Sequence, residues 1–276
     1  MQYVIGRNSI ALAYNGKLMG LTGTELPYFL TSTRFNSPNT SNTLEFTATI
    51  EYADGTSRTA TISPNTSYTY DALLNGNSSY IKRIGDIQIY DYTTAAHKAN
   101  YPSSFAIMSK YPILRSVHHM INFNTGNGAY PSGHNPINLS SLNTLNVTDF
   151  SEMFYGQPVF WYFDKLDLSH LNTSNGENFN NMLPYVSVML SSDDSAFKID
   201  LSGFDMSKAV TQDSYDIFGA NSRLQWNKPV VFVEGCDSST IAKIKWSYQN
   251  KLPNELTVSE TTVDGKHALV AVEANQ

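Results

Sequence analysis

Residues 166–183 read LDLSHLNTSNGENFNNML. Leu166 and Leu168 fall on one side of a strand and Asp167 on the other. A polar turn follows. Phe179, Met182 and Leu183 then recur at i, i+3, i+4, the spacing of one face of a short helix. Two other stretches repeat this order: INLSSLNTLNVTDFSEMF from Ile137 and IDLSGFDMSKAVTQDSYDIF from Ile199. Their starts lie 29 and 33 residues from that of the quoted stretch. A unit this short cannot bury its own apolar side, whereas stacked units can. The repeat therefore predicts parallel strands laid rung on rung, with short helices opposite. Asp149 and Glu152 have the spacing of a capping box for the helix of the first copy.

The texture on either side differs. TLEFTATIEY alternates strictly, with Leu44, Phe46, Ala48, Ile50 and Tyr52 on one face and Glu45, Thr47, Thr49 and Glu51 on the other. Asp54-Gly55 then marks a hairpin. Further short strand signals fill residues 1–82, which predicts an antiparallel β sandwich or barrel. Residues 83–230 hold the repeats, with a degenerate copy expected from Ile87. Residues 231–276 begin with a last strand near Val231. A helix with Ile241, Ile244 and Tyr248 on one stripe follows, and then a hairpin at Asp264-Gly265 that caps the stack. The expected class is α+β.

The segments LDLSHLNTSN (166–175), NVTDFSEMF (146–154) and IDLSGFDMS (199–207) resemble the BspA-like leucine-rich repeat family. The match covers about residues 135–220. Spacing is uneven, copies are few, and the Cys-Gly that often closes such units is replaced by YGQPVFWYF and PYVSVML. The resemblance implies a short, irregular solenoid, an adhesive role at a cell or virion surface, and no catalytic residues.

Charge and composition exclude some classes. The net charge is −6 and only 15% of residues are charged, so no basic face suited to phosphate backbones is present in the sequence. No apolar run reaches membrane-spanning length. The single cysteine, Cys236, forms no internal disulfide. The opening MQYVIGRNSIALAYNG has no basic segment followed by an apolar one, as expected of a chain that stays inside the cell, of one that leaves without a secretion signal, such as a virion component released by lysis, or of a trimmed sequence.

No nucleophile elbow, phosphate-binding glycine loop or His-Glu-x-x-His occurs. The reading is non-enzymatic, with no cofactor and no metal. His118-His119 on a strand would point to opposite faces, poor geometry for one ion. The outward strand positions Asn138, Asp167 and Asp200 form the candidate binding face. Trp161 and Tyr162, in the aromatic run FYGQPVFWYF (154–163), are either a sugar-stacking surface or core. The expected role is a virion surface or structural protein (tail, baseplate, fibre or capsid surface) that attaches to a host or to neighbouring virion proteins. Homo-oligomerisation is expected, and a cell-surface glycan or protein is the expected ligand. The alternatives are a bacterial cell-surface adhesin and a tail-associated glycan-degrading enzyme.

Overall fold

The computed structural model describes residues 2–6, 9–14, 17–20, 28–34, 46–62, 68–89, 102–109, 112–122, 137–155, 165–184, 197–219, 224 and 228–274. Strands β1 (Gln2–Gly6), β2 (Ser9–Tyr14) and β3 (Lys17–Gly20) form an antiparallel meander. β4 (Tyr28–Arg34) pairs antiparallel with β8 (Pro102–Ser109). β5 (Phe46–Tyr52) lies between β6 (Ser57–Ile62) and β7 (Ile81–Ile89). The alternation read from the sequence holds in β5, where Ala48, Ile50 and Tyr52 are buried. The β5–β6 turn closes as predicted, with Gly55 at φ 84° and the Thr56 amide donating to Asp54 Oδ1 at 2.9 Å. The short helix α1 (Tyr70–Leu74) is capped by Thr69, whose hydroxyl oxygen accepts from the Ala72 amide.

The described residues are thus β-rich with few helices, and their sheets are open; no barrel closes among them. A division of the chain at residues 82/83 falls inside β7. One buried apolar cluster runs from Ala48 to Leu269.

β10 (Lys165–Asp167), β11 (Lys198–Asp200) and β12 (Val230–Phe232) are parallel and in register: Leu166 beside Ile199 beside Val231. β9 (Ile137–Asn138) departs from the expectation. It pairs in parallel with β8, in a neighbouring sheet, and not with β10. The degenerate upstream copy therefore starts at β8 rather than at Ile87. Residues 116–121 continue it, with Ser116 bridged to Asp149, Ile121 bridged to Ile87, and the Ile121 amide donating to Met153 O at 2.9 Å.

The expected helices in the first two copies are not formed. Residues 149–154 and 178–183 are extended and turned, and their amides point sideways to the next copy. Phe150 N donates to Asn178 O (2.7 Å), Glu152 N to Asn180 O (3.0 Å), Phe179 N to Ser214 O (2.7 Å) and Asn181 N to Asp216 O (2.8 Å). An amide spent between copies is not available to an i−4 carbonyl. Phe179, Met182 and Leu183 are nonetheless all buried. Left-handed residues at Glu152 (φ 48°) and Asn181 (φ 52°) reset the alternation, so i, i+3 and i+4 turn inward without a helix. The capping box at Asp149 is also absent, because its Oδ1 accepts from the Ser151 amide two residues on. Only the third copy has a helical turn, α2 (Gln212–Tyr215), capped by Thr211.

Each copy bends at Asx turns. The Oδ1 of Asn138, Asp167 and Asp200 accepts from the amides of Ser140, Ser169 and Ser202. Asn143, Asn172 and Asp205 do the same for Leu145, Ser174 and Ser207. These corners explain why Asn/Asp-x-Ser recurs in the sequence. Between the corners, Phe150 stacks on Phe179 at 5.1 Å and Phe179 meets Phe204 at 6.3 Å. α3 (Ser238–Gln249), capped by Asp237, buries Ile244 and Tyr248. β13 (Leu256–Val263) and β14 (Lys266–Glu273) form the predicted hairpin, and β14 pairs antiparallel with β12.

Candidate functional site

The candidate strand face resolves into structural groups. Asp167 and Asp200 stand side by side, but Asp200 is only 1% exposed. Its Oδ2 accepts from Lys165 Nζ at 3.0 Å and Lys266 Nζ at 3.1 Å. Burial pushes the Asp200 carboxyl up; hydrogen bonds from Ser202, Lys165 and Lys266 outweigh this and hold it at about 2. Asp167 pairs with Lys165 at 3.0 Å. Asn138 is exposed, in the neighbouring sheet, and its Oδ1 is occupied by Ser140. The three do not form one continuous row. Trp161 and Tyr162 lie outside the described residues. Cys236 is half-buried, donates to Leu201 O at 3.3 Å, and has its thiol pushed up by burial.

A different row forms on the sideways-bonded ladder. Asp86, His119, Glu152 and Asn181 occupy equivalent places on successive copies, and all four are left-handed, with φ between 48° and 52°. Backbone bonds run between the copies along this row: Asp86 N donates to His119 O, Glu152 N to Asn180 O, and Asn181 N to Asp216 O. A non-glycine residue in this region costs about 1 kcal/mol or more, so four in register concentrate strain along one line of the surface.

The side chains on this row converge. His119 Nε2 contacts Glu152 Oε2, and His119 Nδ1 lies 3.6 Å from Asp86 Oδ1. Asp86 Oδ2 is held by Arg83 at 3.2 Å. His118 stacks on His119 at 4.0 Å, and His119 on Tyr155 at 4.1 Å. The two histidines share one side because the left-handed turn at His119 breaks strand alternation; the expectation of opposed rings is corrected. His118 Nδ1 faces Ser151 O at 3.1 Å and Ser151 Oγ at 3.0 Å. The Ser151 hydroxyl hydrogen goes to Asp149 Oδ1 at 2.6 Å. Both partners of Nδ1 are therefore acceptors, which favours a proton on Nδ1 and makes Nε2 the lone-pair nitrogen of the neutral ring.

Beside this cluster an open polar groove of about 490 Å³ crosses three successive copies, lined by Ser151, Glu152, Asn178, Asn180, Thr211, Asp213 and Ser214. The sequence carried a signal for both features. Aligning SVHHMI (116–121) with DFSEMF (149–154) and NFNNML (178–183) sets His118-His119 against Ser151-Glu152 and Asn180-Asn181. Comparison with known protein families, with curated proteins and with solved structures finds no match. Among the described residues, no helix is long and apolar enough to cross a membrane.

Proposed function

We propose that this chain is a non-enzymatic attachment protein, built as a short, irregular leucine-rich-repeat-like solenoid of the BspA-like type with a β-rich N-terminal part. The proposed setting is a virion surface, as a tail, baseplate, fibre or capsid-surface component. The ligand is a cell-surface glycan. The observation that carries the reading is the groove across three copies. Its lining is mostly neutral hydroxyls and amides with two carboxylates, the donor and acceptor mix that polyhydroxylated chains require. Spanning several rungs suits an extended polymer better than a compact small molecule. Each contact is shallow, so useful attachment comes from many copies acting together.

The test is binding of purified cell-wall polysaccharide to the full chain and to the double variant Asn180→Lys/Asp213→Lys. Both positions are on the groove, and the added side chains fill it. The expected result is a loss of about tenfold or more in affinity, the size of one or two hydrogen bonds, at unchanged melting temperature. Equal binding by the variant overturns the groove assignment, and released oligosaccharide favours the glycan-degrading alternative. A monomer in solution at all concentrations favours the cell-surface adhesin over the virion component.

A further inference from the structure

We infer that His118, His119 and Glu152 form a binding site for one divalent transition-metal ion of the zinc class. One ligand atom from each lies within 4.8 Å of the others, and all three residues are half-exposed. In a tetrahedral site with metal–ligand distances of 2.0–2.2 Å, ligand atoms stand about 3.4 Å apart. From separations of up to 4.8 Å the ligand atoms must shift by up to about 1.4 Å, with the His119–Glu152 contact opening, and the stacked rings must also tilt for their lone pairs to meet. Half-exposed side chains can make both adjustments.

The second shell supports the assignment. Metal-binding histidines usually donate their other ring N–H to a carbonyl or carboxylate, which fixes the tautomer and the ring. His118 has Ser151 O at Nδ1, and His119 has Asp86 Oδ1 on its Nδ1 side. Arg83 occupies the other Asp86 oxygen, so Asp86 is a positioning residue and not a ligand. At His119 Nε2 a ring nitrogen and a carboxylate oxygen occupy one contact. Both atoms are electron-pair donors able to ligate a metal. A third donor, from His118, lies within 4.8 Å of both, and three such donors together make a metal site. Two imidazoles and one carboxylate match zinc, cobalt or nickel, and not calcium or magnesium, which want all-oxygen sites. Left-handed backbone at both His119 and Glu152 brings these side chains together. Three protein ligands leave a coordination position for water, or for a ligand in the groove that Glu152 also lines.

The experiment is equilibrium dialysis of the full chain against ZnCl2 and CoCl2. One equivalent is expected to bind. His119→Ala and Glu152→Gln should each weaken binding about tenfold or more, and Asp86→Asn about 10–100-fold through the orientation of His119. In the unaltered protein, zinc should shift the ring resonances of two of the six histidines, a readout that does not depend on any variant folding. No stoichiometric binding overturns the site, as does binding retained by the His118→Ala/His119→Ala double variant. Zinc shifts on other histidines with none on this pair also overturn it. The outcome is independent of whether polysaccharide binds the groove.

Discussion

Replacing Asp200 by Asn keeps the shape of the side chain and removes its charge. Asn Oδ1 can still accept from the Ser202 amide, so the β11 corner should survive. The attraction to Lys165 and Lys266 is what disappears. The Asp200 pKa of about 2, against an ordinary 3.8, gives the magnitude. At about 1.4 kcal/mol per unit, the charged carboxylate contributes about 2 kcal/mol to folding at pH 7. Asp200 is 1% exposed, so solvent screening removes little of this. The folded pKa is depressed, so the stabilisation is complete above the unfolded value and is lost as pH falls through the folded one. It should drop to about 1 kcal/mol at pH 3 and nearly vanish at pH 2. Urea unfolding followed by tryptophan fluorescence at pH 7 and pH 3 measures both numbers. Asp200→Asn should be less stable by about 2 kcal/mol at pH 7, with the gap roughly halved at pH 3. A variant as stable as the parent at pH 7, or a gap that does not change with pH, refutes the ion-pair account.

Two further substitutions test the stacking of the copies. A Cβ on Gly176 would stand 2.3 Å from Phe179 Cζ and 3.0 Å from Thr173 O, so Gly176→Ala should destabilise by about 1–3 kcal/mol through overpacking, read from thermal denaturation. Thr173 is 2% exposed, and its hydroxyl oxygen accepts from the Asp205 amide at 2.7 Å, across to the next copy. Thr173→Val keeps the shape but leaves that amide unpaired, which should cost about 1–3 kcal/mol and speed hydrogen exchange at Asp205.

The aliphatic columns were legible from the sequence. Leu166 and Ile199 announce themselves by recurring before the same polar turn, and the structure sets them in register with Val231, while Ile137, which carries the same signal, lies in a neighbouring sheet. Both Asp-Gly hairpins were legible too, because left-handed turns demand those residues. The helices were misread because Phe179, Met182 and Leu183 fit helical spacing equally well when a left-handed residue at Asn181 resets a strand. Nothing in the residue type Asn or Glu declares that conformation in advance. The histidine cluster was missed for the same reason. Alternation governs a strand only while φ stays negative, and His119 breaks it. The polar strand positions were visible, but their role was misjudged. An Asp before x-Ser reads as an outward ligand group, whereas here its oxygen closes a corner.

The hairpin on β12 has a consequence for assembly. On the β12 side a further parallel rung cannot be added, because β14 already lies there, running the opposite way. The outermost strand, β13, offers Glu260, Thr261 and Thr262 to solvent, a charged and polar margin that discourages strand-to-strand polymerisation. Growth of a fibre by templating is blocked at this end.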